Sequence, residues 1–580
     1  MKKRYVLIGL LVILLAIAAG VAAFTHYFLS AETSIRDSWE VETGDLLMSD
    51  EEYGVSAYEA DLESDINVIS LLPDEIEDEG FTYYEETVQQ RIAAALVQAG
   101  ENGSFTLESP LAVLNPFGTG SNGLYLYFTT DWASQIRYTI HVDDESIPDY
   151  TAVANNGDRE FSRMHEFLMI GLVPGETNHV TLEVLGKYGR VQNTAEFTIT
   201  MPEPQSGYAT KLEYTDGEAA GGQTEGLFYT IRTGGYTGYA FFYDNSGIMR
   251  YEMVLEGYGL DRMLWYEGEM LTCASAYKIA RFNRLGQVTQ TYALDGYEMH
   301  HDMVFSGDNS LVVLASEYES TDVEDLLLEV DLVTGEVTEL IDFKDVLPEY
   351  YENYAHVIGL DDEFKWLAGK KDWIHLNTVQ YMEEDDSVIV SSRETSTIIK
   401  VRDIHGSKEL DYLIGDENFW KDTPYESYSY TKVGDFTPQY GQHTVEYAGN
   451  EGLEEGQYYL RLFDNNYWSL STRDSYEPDL PDSVGTALLD DSKYSHVYFY
   501  LVDENARTYE LVDSFDVPYS SIVSNVTPVG DNYVVNSGCS MVFGEYTQDG
   551  TLIREYSYEC TLQTYRVMKG DFIGFWFADK

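Results

Sequence analysis

The chain has 580 residues, which is enough for two or more domains with hydrophobic cores of their own. Its 100 acidic and 35 basic residues give a formal net charge of -65. Such a field repels nucleic acid and anionic membrane surfaces, so both are excluded as partners. Three cysteines (Cys273, Cys539 and Cys560) are too few for a disulfide-rich scaffold and lack zinc-type spacing, although Cys539 and Cys560 are placed so that one disulfide is possible.

The N-terminus predicts an export element over residues 1–24. Lys2, Lys3 and Arg4 precede an apolar run of 19 residues from Val6 to Phe24, close to the ~20 residues that cross a bilayer. Basic residues before such a run place the N-terminus in the cytoplasm. We expect a signal anchor or signal peptide, with the remaining chain outside the cytoplasm, either anchored to the cell membrane or secreted if residues 1–24 are cleaved.

Two further regions precede the main part of the chain. Residues 25–103 are predicted to be an acidic stalk with one helix, over residues 84–99, that ends at Gly100. Residues 104–201 alternate short apolar runs with turn signals, which predicts a small β-sandwich domain. Three histidines of this domain share no spacing and are interpreted as structural: His141, His165 and His179.

Residues 207–580 are predicted to be almost entirely short strands, and an internal repeat is visible there. The segments 300–316, 375–392, 442–447 and 523–538 each begin with polar residues followed by a short apolar strand, and 260–275 fits without a histidine. Repeats of antiparallel strands favour a β-propeller. The predicted fold is therefore all-β, with a six-bladed β-propeller after the β-sandwich domain and the N-terminal membrane segment.

The most informative segment is 372–401, which reads as antiparallel strands joined by short polar turns. His375 and Asn377 begin one strand, and Arg393 ends the next, so the hairpin would place them at one rim of the sheet. A neutral imidazole, an amide and a guanidinium suit an oxygen-rich anion such as sulfate, phosphate or carboxylate. Trp373 precedes them and is a candidate for stacking on an aromatic ligand or for blade-edge packing.

Histidines stand at equivalent places in three repeats. His301, His375 and His443 are 74 and 68 residues apart, and the inner strands of a propeller converge on its axis. We therefore expect these imidazoles to meet Asn377 and Arg393 at one mouth of the channel. Three histidines can hold zinc, but a strong cation beside them opposes a metal, which leaves histidine as a nucleophile or general base.

These residues resemble those of the bacterial arylsulfate sulfotransferases that use no nucleotide sulfate donor. The motifs that carry the resemblance are NPFGTG at 115–120, HHD at 300–302, DWIHLN at 372–377, SSR at 391–393, GQH at 441–443 and FDNN at 463–466. The resemblance implies that His443 is the nucleophile that becomes a transient sulfohistidine. It implies that His375, Asn377 and Arg393 hold the sulfate oxygens, and that His301, rather than its neighbour His300, acts on the phenol oxygen.

The resemblance further implies an aryl sulfate donor, a phenolic acceptor, and no metal or other cofactor. Members of the family carry a disulfide near the active site, but no cysteine lies between Cys273 and Cys539, so the corresponding loop must be ordered in another way. An arylsulfatase-like hydrolase and a non-catalytic propeller that binds anionic ligands remain the alternatives. The sequence is compatible with a homodimer.

Overall fold

The computed structural model describes residues 43–579, except 51–52, 77, 79, 234–236, 363, 474 and 561–562. The predicted membrane segment, residues 1–24, lies outside these residues. In the part of the chain that is described, no helix is long and apolar enough to cross a membrane.

Nine strands form the N-terminal domain. Their order is β1-β2-β3-β4-β5-β8-β9, and β6 and β7 both pair with β5. The strands are β1 (Thr43–Asp50), β2 (Val55–Ala60), β3 (Val68–Pro73), β4 (Leu111–Leu114), β5 (Leu124–Val142), β6 (Tyr150–Val153), β7 (Ser162–Met169), β8 (Thr177–Leu185) and β9 (Val191–Thr200). The long strand β5 pairs with β4 and β7 over its first part and with β6 and β8 over its second, and side chains from both parts share one apolar core.

The expected acidic stalk is wrong for the described residues from 43 onward. Strands β1 to β3 extend the sheet of the N-terminal domain, and β3 pairs with β4 in parallel. The apolar side chains of β2 and β3 are buried, among them Val55, Ala57 and Val68. A strand needs only one apolar face, so the acidic residues between them are compatible with an ordered sheet.

One long helix, α1 (Glu86–Asn102), connects the two parts of the molecule. It continues past Gly100 and is capped at Gly103, where the backbone N–H donates to the carbonyl of Ala99. Gln89 is fully buried; its amide donates to the carbonyl of Phe117, and its oxygen accepts from the N–H of Val288. The helix is therefore held by polar as well as apolar contacts.

Among the described residues, the other 26 strands form six β-sheets arranged as the blades of a propeller. Blade 1 contains β11 (Leu227–Thr233), β12 (Gly238–Tyr243), β13 (Met249–Val254) and β35 (Val567–Gly570). Blade 2 contains β14 (Met263–Tyr266), β15 (Glu269–Ser275), β16 (Lys278–Phe282) and β17 (Val288–Ala293). Blade 3 contains β18 (Tyr297–Phe305), β19 (Ser310–Glu317), β20 (Leu326–Asp331) and β21 (Val337–Asp342). Blade 4 contains β22 (Leu376–Met382), β23 (Ser387–Ser392), β24 (Thr397–Arg402) and β25 (Glu409–Ile414). Blade 5 contains β26 (Thr431–Val433), β27 (His443–Tyr447), β28 (Gln457–Asp464), β29 (Tyr494–Asp503) and β30 (Thr508–Pro518). Blade 6 contains β10 (Glu213–Asp216), β31 (Asn525–Val529), β32 (Asn532–Ser537), β33 (Val542–Thr547) and β34 (Leu552–Ser557).

The six-bladed propeller predicted from the repeat is confirmed. The two ends of the propeller chain close the ring, since β10 pairs with β34 in blade 6 and β35 pairs with β11 in blade 1. The repeat segments found in the sequence supply β14, β18, β22, β27 and β31. The sixth inner strand, β35, comes from the C-terminus, so the linear repeat does not reveal it.

Short helices occur in the excursions between strands. Two of them are α2 (Phe343–Val346) and α3 (Pro348–Tyr354), both between blades 3 and 4. Single 3-10 turns occupy Lys365–Leu367, Glu383–Asp385, Glu426–Tyr428 and Gly538–Ser540.

Candidate active site

A bulge interrupts the inner strand in each of blades 3, 4 and 5. The strand register shifts between Met299 and Met303, around Asn377, and between His443 and Glu446. His301 and Thr444 lie within these bulges and His375 lies just before one. They have positive φ angles of 55°, 51° and 48°, which non-glycine residues rarely adopt and which occur at functional sites. The bulges turn the side chains of the inner strands out of simple alternation.

His301 lies at the centre of the cluster that results. Its ring centroid is 5.0 Å from that of His375, 6.4 Å from that of His443 and 5.6 Å from that of Tyr565. The three histidines predicted to converge therefore do so. His300 lies on the far side, with its ring 5.0 Å from His301 and its Nδ1 2.8 Å from Nδ1 of His301.

The hydrogen bonds of His443 fix its tautomer. Its Nδ1 lies 2.8 Å from Oδ1 of Asn465 and 3.1 Å from the carbonyl oxygen of Gly441. Both are acceptors, so Nδ1 carries the proton and Nε2 carries the lone pair. That lone pair accepts a 3.2 Å hydrogen bond from the N–H of Val523. Burial, followed by the charge of His375, places the pKa of His443 well below its ordinary value, so the ring is neutral near pH 7.

His375 is positively charged near neutral pH, whereas His443 is neutral. The neutral imidazole expected at position 375 is therefore not what the structure indicates. Nδ1 lies 2.7 Å from Oδ2 of Asp372 and also contacts Oε2 of Glu324. Burial and the guanidinium of Arg393 favour the neutral ring, but the two carboxylates outweigh them and raise the pKa of His375 to about 9. The site thus contains an imidazolium near neutral pH.

Arg393 shares a carboxylate with His375. Its Nη2 donates to Oδ2 of Asp372 at 2.8 Å, and its guanidinium lies 4.0 Å from the centroid of Phe364. Its backbone N–H donates to the carbonyl of His375 at 3.1 Å, so the predicted hairpin places these two residues side by side. Asp372 is fully buried and holds both cations of the site at one point.

Asn377 is buried and connects blade 4 to the strand of His443. Its Nδ2 donates to the carbonyl of Gln442 at 2.9 Å, which is the residue before His443. One N–H of the amide is thereby engaged and the second remains for another acceptor. Asn377 is therefore placed to align His443 as well as to contact an anion.

Glu394 follows Arg393 and fastens a distant segment to the same turn. Its buried Oε1 accepts from the backbone N–H groups of Ser471 and Thr472 at 2.6 and 2.8 Å and from the Thr472 hydroxyl at 3.0 Å. The residues after β25 are fixed in another way, since Nε1 of Trp420 donates to Oγ1 of Thr397, the first residue of β24, at 3.1 Å. Hydrogen bonds and aromatic packing thus order this side of the site, and all three cysteines are unpaired thiols.

Tyr565 was missed by the sequence analysis. It precedes β35, its ring lies 5.5 Å from that of His443, and its hydroxyl donates to the carbonyl of Asn377 at 2.6 Å. Nothing in the linear repeat identifies it, because the C-terminus completes blade 1. Glu324 lies in an excursion and also lacks a sequence signal, whereas Asn465 stands within the FDNN motif and Asp372 within DWIHLN.

Trp373 does not stack on ligands in the channel. It is fully buried, Nε1 donates to Oδ2 of Asp325 at 2.9 Å, and its ring packs edge-on against Tyr351 at 5.3 Å. It therefore supports the Asp372–His375 turn from behind, in agreement with the packing alternative.

A buried ion network extends from the site into the inner strands. Asp302 lies 3.0 Å from Nη2 of Arg566, and this guanidinium donates to the hydroxyl of Tyr565 at 3.1 Å. Glu446 pairs with Arg461 at 2.6 Å and with Arg262 at 3.2 Å. Breaking a buried pair is costly because it strands a charge, so these contacts hold the inner strands in fixed positions.

One nitrogen from each of His301, His375 and His443 lies within 4.8 Å of the others. This spacing permits a metal ion. The imidazolium state of His375 and its contact with Asp372 mean that a metal would first have to displace a proton. The donor set near neutral pH therefore suits an anion better than a cation.

Two family profiles match the chain. Residues 214–569 match the profile of Arylsulfotransferase (ASST), and residues 111–202 match that of the Arylsulfotransferase Ig-like domain. The first match covers more than half of the 580 residues. No curated protein sequence matches the chain.

Several solved structures are similar in outline at low identity. A putative 6-phosphogluconolactonase from Bacteroides fragilis is 10% identical, with 76% of this chain and 98% of that chain covered and a TM-score of 0.32. Streptogramin B lyase is 9% identical, with 62% and 98% covered and a TM-score of 0.29. AztD from Citrobacter koseri is 12% identical, with 75% and 98% covered and a TM-score of 0.25.

Proposed function

Because the chain belongs to the arylsulfotransferase family, we propose that it moves a sulfuryl group from an aryl sulfate ester to a phenol, with His443 as the nucleophile. The observation that carries this proposal is the fixed tautomer of His443, whose Nδ1 faces two oxygens while Nε2 keeps its lone pair. A neutral imidazole held in this way attacks without prior deprotonation.

In the donor half-reaction, Nε2 of His443 gives up the hydrogen bond from Val523 and attacks sulfur. The bond between sulfur and the aryl oxygen breaks, the phenolate leaves, and a sulfohistidine forms. The positive charge of the sulfated ring is shared through Nδ1–H with the oxygens of Asn465 and Gly441. The sulfuryl oxygens lie against the imidazolium of His375 and the guanidinium of Arg393, which stabilise charge where it develops.

In the acceptor half-reaction, a phenol replaces the departed one and takes the sulfuryl group from His443. His301 is the group that acts on the phenol oxygen, since its ring lies beside both His375 and His443. Burial, followed by the neighbouring histidines and Arg393, places the pKa of His301 well below its ordinary value, so it enters this step as a neutral base. The scheme is ping-pong chemistry that needs no diffusible cofactor.

The test incubates the full-length protein with 4-nitrophenyl sulfate in the absence of nucleotides. The reaction is measured with and without excess phenol, and with and without a metal chelator. Nitrophenolate release that rises with phenol and yields phenyl sulfate supports the transferase. Release that is independent of phenol and yields inorganic sulfate indicates a hydrolase, and loss of activity with the chelator would indicate a metal. Absence of release, together with no sulfuryl adduct in the intact mass, would contradict the proposal and favour a binding propeller.

We further propose that the reaction takes place outside the cytoplasm, since a basic-then-apolar segment precedes the domains. Fractionation of cells that produce the chain, with and without residues 1–24, tests this. Protease-protected full-length protein on the cytoplasmic side would contradict it.

A further inference from the structure

His300 lies directly behind His301 and has no role in the scheme above. The two Nδ1 atoms are 2.8 Å apart. At this distance one nitrogen donates a proton and the other accepts it, so the tautomers of the two rings are coupled. A change of protonation on the channel side of His301 therefore changes the protonation of His300.

Glu324 stands on the other side of this pair. One of its carboxylate oxygens and one nitrogen from each of His300 and His301 all lie within 4.8 Å of one another, and the same carboxylate contacts His375. The backbone of Glu324 has a φ of 59°, its N–H donates to Oγ of Ser316 at 2.8 Å, and its carbonyl accepts from Leu376 at 2.9 Å. The carboxylate is thus held between the histidine pair and the anion-binding histidine.

We propose that His300 and Glu324 form a proton store for His301. The proton taken from the acceptor phenol is held there and is then given to the phenolate that leaves the next donor molecule. The inference rests on the proposed sulfuryl transfer. Both residues act through His301 and are positioning residues, because neither touches the reacting atoms.

The protons balance over the cycle. When the acceptor attacks, its O–H bond breaks, the proton goes to Nε2 of His301, and the Nδ1 proton of His301 crosses to Nδ1 of His300. His300 then carries the positive charge beside the Glu324 carboxylate. In the next donor half-reaction the same protons move in reverse, and the leaving phenolate receives one proton as its bond to sulfur breaks.

The electrostatics of the cluster explain why a single histidine would not suffice. A charge kept on His301 would lie next to the imidazolium of His375, with a ring separation of 5.0 Å. Moving the charge to His300 places it beside the Glu324 carboxylate, which opposes the lowering of the His300 pKa by burial. The adjacent histidines at 300 and 301 thus divide the work between contact with the phenol and storage of the proton.

The test compares the rates at which two donors release their phenols in a single turnover without acceptor. Phenyl sulfate releases a basic phenolate that needs a proton, whereas 4-nitrophenyl sulfate releases a stable anion that needs none. His300→Asn keeps a polar atom near the position of Nδ1 but cannot store a proton, and Glu324→Gln removes the stabilising charge. We expect His300→Asn to slow release from phenyl sulfate about 10²-fold and release from 4-nitrophenyl sulfate less than about threefold. Glu324→Gln also removes one of the two carboxylates that contact His375, so we expect it to slow both donors, and phenyl sulfate more than 4-nitrophenyl sulfate.

Matched controls are His405→Gln and Glu329→Gln, since these residues contact each other at 3.3 Å on the protein surface. Both should leave the two donors unchanged. Equal slowing of both donors by H300N and E324Q would overturn the proton store while leaving the transferase intact, and wild-type protein that releases neither phenol would overturn both. Thermal unfolding shows whether each variant folds, and E324Q alone decides the matter if H300N does not.

Discussion

Substitution of Asp372 should distinguish the charge of His375, which depends on this carboxylate, from the permanent charge of Arg393. Its Oδ2 accepts from His375 Nδ1 at 2.7 Å and from Arg393 Nη2 at 2.8 Å. The pKa of His375 is raised from 6.5 to about 9, and this difference corresponds to roughly 3 kcal/mol at 1.36 kcal/mol per pKa unit. Asp372→Asn removes one of the two carboxylates that supply it, while burial and Arg393 still favour the neutral ring.

We therefore expect D372N to lose the imidazolium near neutral pH. Loss of one preorganised donor to a developing anion costs about 10²–10³-fold in turnover, and kcat/KM for 4-nitrophenyl sulfate should fall by that order. In the wild type, the activity that requires protonated His375 is present below pH 9 and is lost as the pH rises through about 9. In D372N this fall should move to a lower pH.

The assay is nitrophenolate release with saturating phenol, measured from pH 6 to pH 10. Asp386→Asn is the matched control, because Asp386 contacts the exposed His405 at 2.6 Å and lies away from the site. A D372N variant with near-wild-type kcat/KM and an unchanged alkaline limb would refute the assignment of His375 as the charged histidine.

Four further outcomes follow from the site. His443→Ala should abolish both transfer and the sulfuryl adduct in the intact mass, and retained activity would contradict the nucleophile. Arg393→Lys should lose most of the activity, since an ammonium cannot reproduce the guanidinium fork; a steady-state assay checks this. Asp302→Ala should lower the free energy of unfolding by about 3–5 kcal/mol in denaturant titrations, because it strands the buried Arg566. Added NaCl should lower KM for the anionic donor, since it screens the net charge of -65, and a KM that rises with salt would contradict this.

Much of the fold was predictable because the propeller repeats itself in sequence. The segments that contain His301, His375 and His443 share a local pattern, and that pattern alone indicates where the three histidines meet. The position of Arg393 beside His375 follows from hairpin geometry and was predicted correctly. The strands β1 to β3 were not predicted, because the many acidic residues of this region indicated a stalk and outweighed the short apolar runs of β2 and β3.

The charge states were less predictable than the positions. Sequence places His375 in a rim of polar residues, but the carboxylates that charge it come from Asp372, three residues earlier, and from Glu324 in a separate excursion. Tyr565 reaches the site only because the C-terminus closes the ring. Contacts of this kind depend on tertiary packing and leave no local periodicity to detect.

The inner-strand bulges explain how a repeating fold yields a site without symmetry. Each of blades 3, 4 and 5 breaks its ladder near the same level, yet the residue with positive φ is a histidine in the first two and Thr444 in the third. The shift of one position leaves His443 at the start of its strand, where Asn465 and Gly441 fix Nδ1, whereas His375 faces carboxylates and His301 faces His300. Three similar backbones thus give three imidazoles with different partners: one neutral with a directed lone pair, one charged, and one coupled to a second ring. Because the partners and not the backbone set these differences, exchange of a partner such as Asp372 or Asn465 should alter one histidine and leave the other two in place.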